Sequence, residues 1–283
     1  MIEILLATYQ GEQFIAEQIE SILAQSYSEW TLLIHDDGSN DGTIEIAKKY
    51  ALAHPSKINF IQDGVRTGGA KNNFSHLLSK SSSDYVMFCD QDDVWMPDKI
   101  EISFAQLTKA EREFGKDTPI GVFSDYWIVD SKLNTISESG WKSQQNGAEL
   151  SANIRMLAVR NCITGCTMMI NRAALSVALP IPDAAVMHDW WIGLAILKFN
   201  GRLVPIETPL LLYRQHGGNV VGSKKFGFAL LMQRVYAIRK TIKDNAAVYR
   251  MARHIGAVAT LSEYLMFKKF ALTTALSKLC ARR

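Results

Sequence analysis

Residues 85–98 read YVMFCDQDDVWMPD. The apolar start, Tyr85 to Phe88, has the length and composition of a buried strand. At its end the chain places Asp90, Asp92 and Asp93 within four positions. Carboxylates this close repel and raise one another's pKa values. A surface turn, where Asp is favoured, is the simple account. A divalent cation among the acids is the sharper one.

Working outward, IEILLAT (2–8) is a second apolar run that ends in a polar turn. Phe14, Ile15, Ile19, Ile22 and Leu23 then recur at helical spacing. Trp30 to His35 forms a strand that runs into DDGSNDG, with Asp41 as cap of a helix carrying Ile44, Ile46 and Ala47 inward. INFIQ (58–62) is a further strand, and Asn72 or Asn73 is expected to cap a short helix. Pro97 falls in the first turn of a helix expected to run to about Phe114.

Strand and helix alternate, which predicts an α/β fold with parallel strands and crossover helices on both faces. Such sheets bind ligands beyond the carboxyl ends of their strands. TYQGE, HDDGSNDG and DQDD each follow a strand, so all three are expected at one edge. From PIGVFSDYWIVD (119–130) the rhythm changes. Longer loops such as 137–146 imply a mixed part of the sheet.

Composition fits a soluble globular protein, with 48% hydrophobic and 21% charged residues among 283. The N-terminus has no basic start or small-residue cleavage site, and no apolar run nears the roughly 20 residues that span a bilayer. The four cysteines are too sparse for a disulfide scaffold and read as reduced thiols of a cytoplasmic protein. Cys162 and Cys166 lack a matching ligand pair for zinc. Charge is uneven. Residues 222–283 hold 13 basic residues against Asp244 and Glu263, a balance of +11, while 1–221 balance at −8. The predicted organisation is therefore a domain over 1–221, with halves 1–118 and 119–221, and a basic helical region over 222–283.

A diphosphate ligand needs a cation bridge, and Mg²⁺ or Mn²⁺ shares carboxylates with phosphates. Asp90 and Asp92 suit that role. Asp36 and Asp37 exceed what a turn requires, and a carboxylate there can accept the N3–H of uracil or thymine. Asp41 is read as part of a plain turn in which it caps the helix.

ATYQGEQFIAEQIESILAQSY, LLIHDDGSNDGT and FCDQDDVWMPDK, in that order, resemble glycosyltransferase family 2. The resemblance covers roughly residues 2 to 222. It implies a GT-A fold, a Rossmann-like mixed sheet with helices on both faces, and an inverting, nucleotide-sugar-dependent transferase using Mg²⁺ or Mn²⁺. By position it implies that Ala7, Thr8, Tyr9 and Glu12 lie against base and ribose, and that Asp37, with Asp36 beside it, binds the pyrimidine. Lys71 matches a basic position in the Gly-rich segment. Asp90 and Asp92 match the metal acids, with Gln91 between them against the donor, and Asp93 orients ribose or a donor hydroxyl.

MHDWWIGLAI places the implied catalytic base at Asp189, which a helix N-cap would also explain. Trp190 and Trp191 suit sugar stacking or core packing equally. His188 reads as a loop residue. In LLYRQHGGNVVG (211–222), Arg214 suits diphosphate recognition, His216 suits the metal sphere, and the glycines suit a closing loop. CDQDDVW, HDWW and YRQHGGNVVG together resemble the bacterial rhamnosyltransferase-like branch, which builds O-antigen and other surface polysaccharides. The implied donor is dTDP-L-rhamnose, with a UDP-hexose or UDP-N-acetylhexosamine as alternative, and the implied acceptor is a glycan or lipid-linked glycan. A non-catalytic nucleotide-sugar-binding module is the reading from another class.

After Val221, Phe226, Phe228, Leu230, Leu231, Val235, Tyr236 and Ile238 alternate with Arg234, Arg239, Lys240 and Lys243. Basic amphipathic helices suit an anionic membrane surface, which implies a peripheral place on the inner face of the cytoplasmic membrane. Packing on the main domain is the other account. No nucleic-acid motif accompanies the charge.

Overall fold

The computed structural model describes residues 1–145, 147–216 and 230–280. The chain runs β1 (Ile2–Thr8), α1 (Ile15–Leu23), β2 (Trp30–Asp36), α2 (Thr43–Ala53), β3 (Ile58–Ile61), α3 (Ala70–Lys80), β4 (Tyr85–Asp90), β5 (Val94–Trp95) and α4 (Lys99–Phe114). It continues with β6 (Ile120–Val129), β7 (Thr135–Ser137), α5 (Gly140–Gln144), α6 (Ile154–Val159), β8 (Met168–Asn171), α7 (Arg172–Ala178), α8 (His188–Lys198), β9 (Arg202–Arg214), α9 (Leu230–His254) and α10 (Leu261–Cys280).

One mixed sheet has the order β3-β2-β1-β4-β8-β6-β9-β5, with β7 paired to β6. The first four positions are parallel, as crossover helices require. β8 then enters antiparallel between β4 and β6, and β9 runs parallel to β6. The expected mixed region is therefore present, and it extends the sheet rather than forming a separate layer.

Strand alternation divides the core in two. Ile2, Ile4 and Leu6 of β1 pack with Ile15, Ile19 and Ile22 of α1 and with Ile100 and Leu107 of α4. Leu5, Val86 and Phe88 face the other way, onto Phe74 and Leu77 of α3 and Ile192 and Ile196 of α8. Each such side chain stabilises the fold by about 1.5–3 kcal/mol on burial.

Three local expectations change. Neither Asn72 nor Asn73 caps α3: Gly69 stands at that position, and Asn73 is buried within the helix. Asn73 Nδ2 donates to the carbonyls of Thr8 and His35, tying α3 to two strand ends. Pro97 precedes α4 instead of lying in its first turn. The 137–146 loop contains α5.

The described part of the basic region packs on the main body. Val248, Met251, Ala252, Tyr264 and Ala271 are buried in the same core as α6 and α8. Residues 217–229 and the side chains of 230–240 lie outside the description, so the expected Gly217–Gly218 closing loop and most of the basic face fall there. No described helix is long and apolar enough to cross a membrane.

Candidate active site

Register brings the three polar turns together. Thr8 pairs with Asp36, and Ala7 with Asp90. A cleft of about 1040 Å³ opens beyond this edge. It reaches across to α8 and the C-terminal helices.

Ala7, Thr8, Tyr9 and Asp37 line the cleft. Asp36 is buried and braces the turn, accepting from the amides of Gly38 and Ser39 and from the hydroxyls of Ser39 and Thr8. Asp37 reaches the other way and gathers the amides of Thr67, Gly68 and Gly69 just ahead of α3. Burial pushes its pKa up, but these bonds outweigh burial and hold it below the usual value. Two donors meet Oδ1 from Thr67 alone, whereas Oδ2 takes only Gly69, which leaves Oδ2 a lone pair for a ligand. Gly38 adopts φ +88°, and a Cβ there would lie 2.7 Å from Arg66 Nε. The turn thus leaves room for Arg66, a cleft-lining cation the sequence reading passed over.

Glu12 and Lys71 serve neighbouring backbone. Glu12 Oε2 accepts from Gly42 N at 2.8 Å. Lys71 Nζ donates to Asp183 O and Ala185 O at 3.4 and 3.3 Å, on the loop leading to α8.

At the end of β4, Asp90, Gln91 and Asp92 line the cleft and Asp93 lies fully buried behind them. Burial, then Asp92 and Asp189, push the Asp90 pKa up to about 7. Burial, then Asp92 and Asp90, raise Asp93 well above the carboxylate range. Lys99 is buried behind this group, its Nζ 4.7 Å over the Trp95 ring. Burial lowers it to about 8, and Asp93 is among the charges pulling it back up.

His216 Nε2 sits 2.8 Å from Asp92 Oδ2. Oxygen ligands on a crowded, destabilised acid group fit Mg²⁺ or Mn²⁺, and a cation would relieve the repulsion that raises Asp90. The Cys166 thiol lies in the same cluster as Asp90 and Asp93, and burial raises its pKa well above the ordinary thiol value.

Arg214 is committed inside the protein. Its guanidinium donates to Asp92 O, Ser131 O and the Glu17 carboxylate and stacks 4.5 Å over Phe14. Its amide donates to Asp93 Oδ1 at 3.2 Å. The side chain therefore shapes the acidic turn from behind; it does not line the cleft.

α8 lines the cleft beside Asp90. Asp189 lies in its first turn, 7% exposed, and accepts from Trp190 N at 2.6 Å. Burial pushes its pKa up to about 6, against backbone hydrogen bonds that pull it down. Trp190 lines the cleft and donates to Leu157 O. Trp191 corrects the paired expectation: it is buried in the core and donates to Ala178 O, because successive helix residues face about 100° apart. His188 corrects another. It is a buried residue of α8, stacked 4.0 Å from Phe74 and 5.2 Å from Phe88, with neither ring nitrogen hydrogen-bonded. Lys268 of α10 and Val248 of α9 complete the wall.

A mixed Rossmann-like sheet with its acids gathered at one carboxyl edge has the GT-A architecture of sugar-nucleotide transferases. The family model described as "Glycosyl transferase family 2" matches residues 3–176. The chain belongs to glycosyltransferase family 2 and is a transferase enzyme. It is 30% identical over 228 residues to the dTDP-rhamnosyl transferase RfbG of Shigella flexneri, covering 77% of this chain and 74% of that protein. It is 27% identical to the UDP-Glc:alpha-D-GlcNAc-diphosphoundecaprenol beta-1,3-glucosyltransferase WfgD of Escherichia coli, over 71% of each. Among solved structures it resembles S. aureus TarS in complex with UDP-GlcNAc, at TM-score 0.59 and 15% identity, covering 86% of this chain and 66% of that one, just under two thirds. It also resembles the mannosyltransferase PcManGT of Pyrobaculum calidifontis with GDP-Man and Mn²⁺, at TM-score 0.58 and 16% identity, covering 98% and 75%.

Proposed function

We propose that the protein is an inverting glycosyltransferase of bacterial surface-polysaccharide synthesis. It moves a sugar, L-rhamnose from dTDP-L-rhamnose in the favoured reading, to a glycan or lipid-linked acceptor. The observation that carries this is the placing of Asp189. A buried carboxylate with a pKa near 6 lines the same cleft as Asp90 and Asp92, close enough to raise the Asp90 pKa. A carboxylate beside the metal acids can take the proton of an acceptor hydroxyl that enters the cleft.

In this reading Asp37 Oδ2 takes the pyrimidine N3–H, and Tyr9 lies against the base. Asp92 with Asp90 and His216 would hold Mg²⁺ or Mn²⁺, which would supply positive charge for the diphosphate leaving group. Asp189 accepts the proton of the acceptor hydroxyl while that oxygen bonds to the anomeric carbon. The bond from that carbon to the donor phosphate oxygen breaks, and the nucleoside diphosphate takes the electron pair. Trp190 lies beside the acceptor. Helices α9 and α10 present it and rest on an anionic membrane face on the cytoplasmic side.

The resemblance to RfbG favours dTDP-rhamnose; the resemblance to WfgD favours a UDP-hexose as the second reading. A thermal-shift screen of dTDP-rhamnose against UDP-glucose and UDP-N-acetylglucosamine, with Mg²⁺ and with Mn²⁺, separates them. Ligand at 100 times Kd stabilises by about 2.7 kcal/mol. Stabilisation by UDP-sugars alone would replace the rhamnose reading.

A further inference from the structure

Away from the cleft acids, His35, Asp63 and His76 bring one ligand atom each to within 4.8 Å of one another. They come from three elements: the end of β2, the loop after β3, and α3. We propose that they form a second metal site, for a transition-metal ion such as Zn²⁺, which clamps the 62–69 loop to the sheet.

Proton bookkeeping at His35 supports this. Asn73 Nδ2 donates to two carbonyls, so its amide orientation is fixed and Oδ1 can only accept. His35 Nδ1, 2.7 Å from that oxygen, must therefore carry the proton. In the neutral ring Nε2 is then a bare lone pair. It faces Asp63 Oδ1 at 3.4 Å, acceptor against acceptor, with His35 almost fully buried. Such a pair needs a positive charge between or upon it. A metal ion supplies one, and 3.4 Å is about the spacing of two ligands around Zn²⁺ bound near 2.0–2.1 Å each.

The surroundings fit a metal as well. A histidine ligand ordinarily donates its other nitrogen to an oxygen that fixes the ring, which is what Asn73 Oδ1 receives. His76 Nε2 lies 2.8 Å from Asp63 Oδ2 and needs only to move its proton to Nδ1 to become the third ligand. Two imidazoles and one carboxylate suit Zn²⁺ rather than Mg²⁺. Lys80 Nζ, 3.6 Å from Asp63 Oδ2, competes for that carboxylate. Its side chain is half exposed and free to turn to solvent.

The position gives the ion a task. The loop that Asp63 would anchor at one end is held by Asp37 at Thr67, Gly68 and Gly69 at the other. Metal binding would thus stiffen the nucleotide side of the cleft without touching the Asp90–Asp92 site.

The test titrates chelator-treated full-length protein with Co²⁺, following the visible absorption of a low-symmetry Co²⁺ site, and with Zn²⁺ against a chromophoric chelator. Wild type, His76→Ala, His76→Gln and Asp92→Asn are compared. With Mg²⁺ in excess to occupy the Asp90–Asp92 site, one ion should bind wild type and Asp92→Asn alike, and tenfold or more weakly in both His76 variants. In the same excess of Mg²⁺, Zn²⁺ should raise the Tm of Asp92→Asn and leave that of His76→Gln unmoved. Equal affinity in the His76 variants, no Co²⁺ bound by wild type, or binding lost only with Asp92 would each overturn the proposal.

Discussion

Gln91 holds Tyr9 by its backbone. The side-chain Oε1 accepts from Tyr9 N and Nε2 donates to Tyr9 O, both at 2.8 Å. The amide thus acts as one more rung between β4 and β1, beyond the point where their ladder ends. It fixes the turn that lines the cleft on the side proposed for the nucleotide. Gln91→Ala should therefore weaken donor binding about tenfold while costing about 1–2 kcal/mol of stability, the scale of two hydrogen bonds. Gln91→Glu keeps an acceptor for Tyr9 N but turns a second oxygen toward Tyr9 O and adds charge between Asp90 and Asp92. Calorimetry of dTDP and UDP binding should rank the variants wild type, Ala, Glu. Equal affinity across the series would show that Tyr9 is placed without the bridge.

Asp189 should govern the acid side of the rate profile. A base works only when ionised, and burial holds this one at about 6. Turnover should fall roughly tenfold per pH unit below that value. A cation beside Asp90 favours the ionised form, so the limb lies at or somewhat below 6 when donor is bound. Asp189→Asn should lower kcat by 10²–10⁴ and leave donor affinity unchanged. Near-normal turnover in that variant would remove the base assignment.

The parallel half of the sheet was legible in the sequence because its signals are local. β1, β2 and β4 are apolar runs closed by Asp- and Gly-rich turns, and their crossover helices keep one period. The antiparallel half was less so. β8 enters between β4 and β6 from far along the chain, and only through-space pairing places it there. The site divides the same way. Strand-end acids could be read as a cluster because topology sends strand ends to one edge. What each charge touches could not. Arg214 looked like a phosphate binder until Glu17, Ser131 and Asp92 proved to surround it. Trp190 and Trp191 are neighbours in sequence, yet one faces the cleft and the other the core. His188 had no local signal at all, since its environment is two phenylalanines from other elements.

That environment makes His188 a pH-dependent element of stability. Burial lowers its pKa to about 3, from 6.5 in the unfolded chain. The folded state therefore binds the proton less readily. Stability is fully present above 6.5 and declines as pH falls from 6.5 toward 3, because the unfolded state takes up the proton first. Between pH 7.5 and 5.5 this one residue should account for about 1.4 kcal/mol of lost stability. Urea unfolding of His188→Leu should show a smaller drop over that interval by about this amount. An identical drop in variant and wild type would mean the ring already shares a proton in the folded state.

Met251 tests whether the C-terminal helices belong to the catalytic body. It is fully buried, and its Sδ accepts from Val186 N at 3.3 Å on the loop that leads to α8. Met251→Ala should cost about 2–5 kcal/mol, the range for truncating a buried methionine. It should also lower kcat, because the same loop positions His188 and Asp189. A surface-like cost under 0.5 kcal/mol by chemical denaturation would mark α9 as detachable.

The outer side of α10 bears on membrane contact. Leu261, Leu265, Met266 and Phe270 are each more than half exposed, while Tyr264 and Ala271 of the same helix are buried. Leu261, Leu265 and Met266 thus show apolar side chains to solvent, with Lys269 exposed among them. Apolar side chains beside a basic one suit the headgroup boundary of an anionic bilayer. The double variant Leu265→Ser and Met266→Ser should keep its Tm, since these side chains are not part of the core. It should lose most of its binding to phosphatidylglycerol-containing vesicles in sedimentation. Wild-type binding should weaken in high salt, which screens the basic contribution, and persist in part through apolar insertion. Unchanged sedimentation of the double variant would place the membrane contact elsewhere or remove it, leaving α10 as a packed wall of the cleft.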